Sequence, residues 1–384
     1  MRRPATLVLV FGLLAIIFFA AHVYLANRLV LDAAFPPLVD GLLVGAMAFF
    51  GVAVLVRIIG RWWLDLPLPA ATAWIAYPWI GFIWVLLVLT LATDLVLLVA
   101  SIFAPGIWAQ AATARALVVW GAAIAIGAFG VHSAFRLPAV RRIEVAIGGW
   151  PAGLDGFRIV QLSDVHIGPL LRRRFAQRLV DRTNALGADL VAVTGDLVDG
   201  RVEELVDEVE PFSRLRARHG VYYVTGNHDY ISGGRSWVEH VRRLGMRVLR
   251  NEHVTVGDGA GKFDLAGVED HHAHMFDPTE AEDLERALAG RDRSRPLVLL
   301  AHQPNTFSKA AESGVDLQIS GHTHGGQIWP FSLLVRLYTP FIGGRYRLGD
   351  SQLYVSLGTG FWGPPMRLLA PSEITEFVLR PKAA

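Results

Sequence analysis

Hydrophobic positions are unevenly distributed along this chain. Upstream of about residue 136 they run almost unbroken, with Lys absent and Arg sparse; downstream they fall into short clusters between charged and glycine-rich stretches. Ala5 to Ala26 carries no Asp, Glu, Lys or Arg, follows Arg2 and Arg3, and is long enough to cross a hydrocarbon core. A signal peptide has a shorter apolar region and ends in a small-residue cleavage site, so a retained helix is expected here. Further apolar segments run from about Leu38 to Val56, Tyr77 to Phe103 and Ala116 to Phe135, which gives four spans. Trp62, Trp63, Trp74, Trp108 and Trp120 fall near their expected ends, where interfacial aromatics collect.

From Arg141 onward the period changes. Phe157–Leu162, Leu190–Thr194, Val221–Val224 and Leu297–Leu300 read as buried strands, and each is followed within a few residues by a polar side chain able to hold metal. Leu171–Leu186, Val202–Arg218, Trp237–Leu244 and Thr279–Ala289 read as intervening helices. Tyr354–Ser356 and Ile374–Leu379 read as strands of a second sheet. The expected architecture is an α-helical four-span membrane region, residues 1–136, followed by an α/β domain, residues 137–384, with its site along one sheet edge.

Composition sharpens this division. A hydrophobic content of 53% and a mean hydropathy of +0.39 exceed what a soluble domain carries. The absence of cysteine leaves only nitrogen and oxygen to hold a metal, and a net charge of +2 without a basic run gives no reason to expect nucleic acid. Arg2, Arg3, Arg57, Arg61, Arg136, Arg141 and Arg142 fall on one side of the spans, against Arg28 and Arg115 on the other. That bias favours an N-terminus inside and, after four spans, a cytoplasmic catalytic domain. Asp94 lies within an apolar segment and reads either as a functional or helix–helix group or as a residue near the outer interface; His22 and His132 read the same way.

The chemistry lies in five short blocks: Asp164-Val165-His166, Gly195-Asp196, Gly226-Asn227-His228-Asp229, Ala301-His302 and Gly321-His322-Thr323-His324-Gly325-Gly326. Two imidazoles two residues apart on extended backbone project to one side and can hold metal, and flanking glycines keep the approach open. Hydrolysing a phosphoester requires a nucleophile at neutral pH and compensation of negative charge. Two divalent ions about 3.5–4 Å apart supply both by activating a shared water and clamping phosphoryl oxygens. Asp164 and Asp196 are charged ligands, while Asn227, His166, His302, His322 and His324 are neutral ones. This mixed set suits Mn²⁺, Fe²⁺ or Zn²⁺ better than Mg²⁺ or Ca²⁺.

In these blocks, in this order, the chain resembles the calcineurin-like metallophosphoesterase family over about residues 143–380. The resemblance implies a four-layer α-β-β-α sandwich. It implies that Asp164, His166, Asp196 and His324 hold one ion, and that Asp196 bridges to a second held by Asn227, His302 and His322. A metal-bridging hydroxide would attack phosphorus; His228 would stabilise the transition state or protonate the leaving oxygen, with Asp229 orienting it. Because every ligand position is filled, an active hydrolase is expected rather than a membrane binding protein that retains the fold. Lipid-linked phosphodiesters or pyrophosphates, with the bilayer as partner, compete as substrates with soluble nucleotides and other small phosphoesters. Oligomeric state is not legible.

Three stretches stand outside these blocks. Asp199 reads as a supporting or turn carboxylate. Arg172, Arg173 and Arg174 read as a solvated helix face or as a reader of phosphate or anionic lipid. Glu269-Asp270-His271-His272-Ala273-His274 reads as a loop at the site's rim, a third metal site or an uninvolved surface loop. The apolar run Ile328–Ile342, broken only by Arg336 and too short to span a membrane, reads as sheet core or as a flap dipping into the headgroup region, with Trp329 and Tyr338 at the interface.

Overall fold

The computed structural model describes residues 5–382 apart from Asp65, Pro67 and Ala260; the side chains of residues 5–11 and of Trp62 are also outside the description. Arg2 and Arg3 therefore lie outside the described residues. Contacts divide the chain into two units, Met1–Ser133 with Gly363–Met366, and Ala134–Trp362 with Arg367–Ala384.

The first unit consists of α1 (Ala5–Ala26, continued by a π-helical turn Asn27–Leu31), α2 (Pro37–Trp62), α3 (Ala70–Ala100) and α4 (Ile107–Phe135). Among the described residues, four helices are long and apolar enough to cross a membrane. All but the first are longer than the apolar segments in the sequence; Pro36 and Pro69 sit just ahead of α2 and α3, where a missing N–H costs nothing. As α4 begins at Ile107, Trp120 lies in mid-helix rather than near an end, with Nε1 toward the Leu29 carbonyl. Asp94 is a helix–helix group: it accepts from the Tyr24 hydroxyl at 2.6 Å, from Arg28 Nη2 at 2.9 Å and from Arg115 Nη1 at 2.6 Å. Polar groups inside an apolar unit must satisfy one another in this way. His22 does likewise, facing the Phe18 carbonyl through Nδ1 and accepting from Trp79 Nε1.

The second unit is built on two six-stranded sheets. The first runs β1 (Ala139–Ile147), β12 (Glu373–Pro381), β2 (Phe157–Leu162), β3 (Leu190–Thr194), β4 (Val221–Val224), β5 (Arg247–Val248). The second runs β10 (Gly344–Leu348), β11 (Ser351–Val355), β9 (Leu317–Ser320), β8 (Leu297–Leu300), β7 (Gly261–Gly267), β6 (Glu252–Asp258). Alternate residues of both sheets, among them Ile159, Leu190, Ala192, Val224 and Phe377 from one and Phe263, Leu265, Val298, Leu300 and Ile319 from the other, form one buried core. The outer face of the second sheet, through Leu297, Leu299 and Ala266, packs on Leu284, Ala287 and Ala310 of helices. The first sheet is covered by α5 (Arg173–Asn184) and α6 (Val202–Val209), which bury Ala176, Leu179, Val180, Leu205 and Val209. The result is a four-layer α-β-β-α sandwich.

One strand is placed differently from the sequence reading. Ile374–Leu379 belongs to the first sheet, where β12 pairs parallel to β1 and antiparallel to β2, whereas β11 joins the second sheet as expected.

Candidate metal centre

Parallel strands β2, β3 and β4 end on one sheet edge, and β8 and β9 end on the facing edge, so the loops after them converge. The backbone there is contorted. Asp164, His166, Asp196, His322 and His324 all take left-handed φ values of 51–75°, a conformation that non-glycine residues rarely adopt. Strain of this kind persists only where the surroundings enforce it, and it gathers at functional sites. Two glycines allow the loops to touch: a Cβ on Gly226 would stand 2.2 Å from Asp196 Oδ1, and one on Gly321 2.2 Å from Asp164 Oδ2.

Donor atoms gather in overlapping groups, Asp164–His166–His324, His166–Asp196–His228 and Asp196–His302–His322, each with its atoms within 4.8 Å of one another. In the first, His166 Nε2 is 3.1 Å from His324 Nε2, which is 3.3 Å from Asp164 Oδ1. In the third, His302 Nε2 is 3.2 Å from Asp196 Oδ2 and 3.3 Å from His322 Nδ1. Ligands about 2.1 Å from a common ion stand about 3.0–3.4 Å apart, so these separations fit metal ligation. Asp196 Oδ2 is also 3.8 Å from His166 Nε2 and lies between the two groups. Asn227 supplies an independent fit: its Oδ1 is buried and has no hydrogen-bond partner. A buried acceptor left unpaired costs about 1–3 kcal/mol unless something absent from the polypeptide meets it.

Hydrogen bonds orient the imidazoles. His302 Nδ1 faces the Thr194 carbonyl at 2.8 Å and His166 Nδ1 faces Asp199 Oδ1 at 3.0 Å, so each donates outward and turns the lone pair of Nε2 into the site. Burial and the neighbouring His302 push His322 down to about 3, which keeps it neutral as a ligand must be. Burial disfavours the Asp196 carboxylate, but His302 and His228 hold its pKa well below the usual range.

Asp199, read in the sequence as a supporting or turn carboxylate, is a supporting one. Its Oδ1 takes both His166 Nδ1 and, at 2.7 Å, His228 Nδ1, so one atom orients a candidate metal ligand and the expected phosphate contact together. The orienting role expected of Asp229 therefore falls to Asp199. Asp229 instead accepts from the backbone N–H groups of Asp196, Leu197 and Gly226 at 2.8–3.0 Å and fixes the loop that carries Asp196. The physical reason is helical: His228 and Asp229 are neighbours on α7 (Asn227–Ile231), and adjacent helical residues do not face each other. We expect Asp199→Asn to lower activity by roughly 10–100-fold with the fold retained, the usual cost of losing a partner that orients a metal-bound histidine. Kinetics and bound-metal analysis on one preparation check this.

Burial drives Asp270 up to about 6, and it accepts from Gln303 Nε2 at 3.1 Å. The same Nε2 lies 2.9 Å from His272 Nδ1, and the His272 ring is 6.5 Å from that of His322. The histidine-rich stretch is thus a rim loop; among the described residues it joins no group able to hold a metal. The apolar run divides: Ile328 and Ile342 at its ends are buried, and Phe341 packs against the buried Phe307, Leu353 and Val355. Its centre is a helix, Phe331–Tyr338, with no buried residue, and Leu333 and Leu337 are 55% and 85% exposed. Its last residue reaches the rim, where the Tyr338 hydroxyl lies 3.3 Å from both His272 Nε2 and Gln303 Oε1.

A two-sheet sandwich presenting two carboxylate–imidazole groups that share one aspartate has the features of a dinuclear metallohydrolase. Residues 157–326 match the model of the calcineurin-like phosphoesterase family. The chain is 38% identical over 263 residues to a Danio rerio "transmembrane protein with metallophosphoesterase domain", covering 66% of this chain and 60% of that protein. It is 42% identical to an uncharacterized metallophosphoesterase of Helicobacter pylori strain J99, over 59% of this chain and 60% of that one. With the uncharacterized metallophosphoesterase YkuE of Bacillus subtilis it shares 34% identity, over 60% of this chain and 81% of that one. Among solved structures it is similar to a 5'-nucleotidase precursor of Thermus thermophilus, at 16% identity and a TM-score of 0.37, covering 58% of this chain and 54% of that one. The chain belongs to the calcineurin-like phosphoesterase family. It spans about 60% of the length of the first curated relatives it matches.

Proposed function

We propose that this chain is a membrane-anchored, metal-dependent hydrolase that cleaves a lipid-borne phosphodiester or pyrophosphate. The observation that carries the lipid part is the exposed apolar helix Phe331–Tyr338 ending against the rim of the metal centre. A solvated helix gains nothing from bare leucines, whereas one resting in headgroups buries them. Asp164, His166, Asp196 and His324 would hold one ion, and Asp196, Asn227, His302 and His322 the other. Two divalent ions, Mn²⁺, Fe²⁺ or Zn²⁺ by their donors, would supply a nucleophile at neutral pH and charge compensation for the phosphoryl group. His228 stands over this centre. Burial disfavours its imidazolium while Asp199 and Asp196 favour it, and with Nδ1 held by Asp199 its Nε2 can bind a phosphoryl oxygen or give a proton to the leaving oxygen.

The test is turnover by the purified full chain, with Mn²⁺ supplied, of a panel of lipid-linked and soluble phosphoesters. Preference for the lipid-linked members by kcat/KM is expected. Equal or better turnover of soluble nucleotides would replace the lipid reading with the soluble one.

The catalytic domain is read as cytoplasmic. Arg57 and Arg61 lie near the end of α2 and Arg136, Arg141 and Arg142 follow α4, whereas Arg28 and Arg115 are both paired with Asp94 and leave less free positive charge on the other side. A C-terminal reporter active only in the cytoplasm is expected to work, and one that requires export to fail. The opposite pattern would overturn the four-span orientation.

A further inference from the structure

A cavity of about 350 Å³ lies beside α5, away from the metal ligands. Arg172, Arg174 and Arg178 line it together with Phe135, Leu170 and Phe175, so cationic and apolar side chains share it. The arginines divide into two kinds. Arg172 and Arg173 are neutralised within the fold, by Glu208 at 2.5 Å and Glu210 at 2.6 Å. Among the described residues, Arg174 and Arg178 have no carboxylate partner. They stand one turn apart on α5, and Arg182, one turn further, has a buried Nε without a partner. Like charges at this spacing destabilise a helix, so the stripe opposes folding unless an anion answers it.

The occupant can be identified from the cavity's other wall. Phe135 is the last residue of α4, an apolar helix long enough to cross a membrane, and it belongs to the same unit as α5. A residue ending such a helix stands near the boundary of hydrocarbon and headgroups, where aromatic and arginine side chains are both favoured. Two unneutralised guanidiniums sharing a cavity with Phe135 suit a phosphate, while Phe135, Leu170 and Phe175 offer acyl chains a surface that a free anion would not use. We infer that this cavity is a binding site for one anionic phospholipid, with Arg174 and Arg178 on its phosphate and the apolar wall on its first methylenes. The assignment rests on the membrane helices and not on hydrolysis, so it stands or falls apart from the proposed activity.

The full chain, purified in mild detergent and stripped of lipid, is to be titrated with phosphatidylglycerol or phosphatidylcholine and its bound lipid counted by native mass spectrometry. Phosphatidylglycerol is expected to bind in preference, and the double variant R174Q/R178Q to bind it about tenfold more weakly, while R174K/R178K keeps most of the affinity. Both positions are exposed, and a thermal melt confirms that the variants are folded. Equal binding of the two lipids, or unchanged binding by R174Q/R178Q, would overturn the site. A third arm uses soluble glycerol phosphate. Binding as tight as that of the lipid would show a free-phosphate site and overturn the lipid assignment.

Discussion

Asp196→Asn is expected to abolish hydrolysis and to empty both halves of the centre together. Asp196 Oδ2 lies 3.2 Å from His302 Nε2 and 3.8 Å from His166 Nε2, so its charge is shared between the two donor groups, while Oδ1 accepts from the His228 N–H at 2.8 Å. An amide can keep the shape but supplies no charge, and two divalent ions would then face only Asp164 as a ligating carboxylate. The loss should reach on the order of 10³-fold or more, beyond the roughly 10–100-fold expected of a residue that only orients a ligand. Metal content and turnover measured on the same preparation decide the matter. Near-normal turnover, or loss of one ion with the other retained, would remove the shared-carboxylate assignment. Comparison with Asp199→Asn separates ligation from orientation, because Asp199 touches His166 and His228 from outside the donor groups.

What the sequence revealed of this centre follows from how it is built. Strands β3, β4 and β8 are apolar on both faces, so each reads as a nearly unbroken run with its candidate ligands just beyond, and β2 reads the same way despite Arg158 and Gln161. The strand β9 was not legible: Leu317-Gln318-Ile319-Ser320 alternates apolar with buried polar residues, Gln318 Nε2 donating to Ser320 Oγ at 3.0 Å. Nor was the hairpin of β6 and β7, whose outer strand β6 is only partly buried and whose glycines weaken the pattern. The misplacement of Ile374–Leu379 has a related cause. A buried strand's residues report that it is covered on both sides, not which sheet covers it, and β12 joins a sheet whose other strands lie far upstream in the chain. Asp199 shows the limit at the site itself, since only the folded loops bring its single oxygen between histidines from two different blocks.

The variant in which Leu333, Leu334 and Leu337 are all replaced by Gln is expected to lose turnover of a lipid-linked phosphoester while hydrolysing a small soluble diester as before. These side chains are 48–85% exposed on a helix none of whose residues is buried, so the substitutions remove no core packing and the fold should be unaffected. In water they would change stability by no more than about 0.5 kcal/mol, as surface substitutions do. In a bilayer the arithmetic differs. Burying each leucine in headgroups and upper methylenes is worth up to about 1.5–3 kcal/mol, so even partial burial of three makes a docking energy that their replacement removes. The helix ends in Tyr338, whose hydroxyl sits 3.3 Å from His272 Nε2 and Gln303 Oε1, and Gln303 follows the candidate ligand His302 in the chain. A lipid-borne phosphate delivered along this helix would therefore meet the centre on its His322 side. The measurement is kcat/KM of the full chain, reconstituted in vesicles, for the two substrates side by side. A roughly tenfold or larger fall for the lipid substrate alone is expected, chiefly in KM, because docking acts on substrate capture and not on the metal ligands. Equal falls for both substrates would mean that the helix supports the centre structurally, and no fall for either would place lipid recognition elsewhere on the protein.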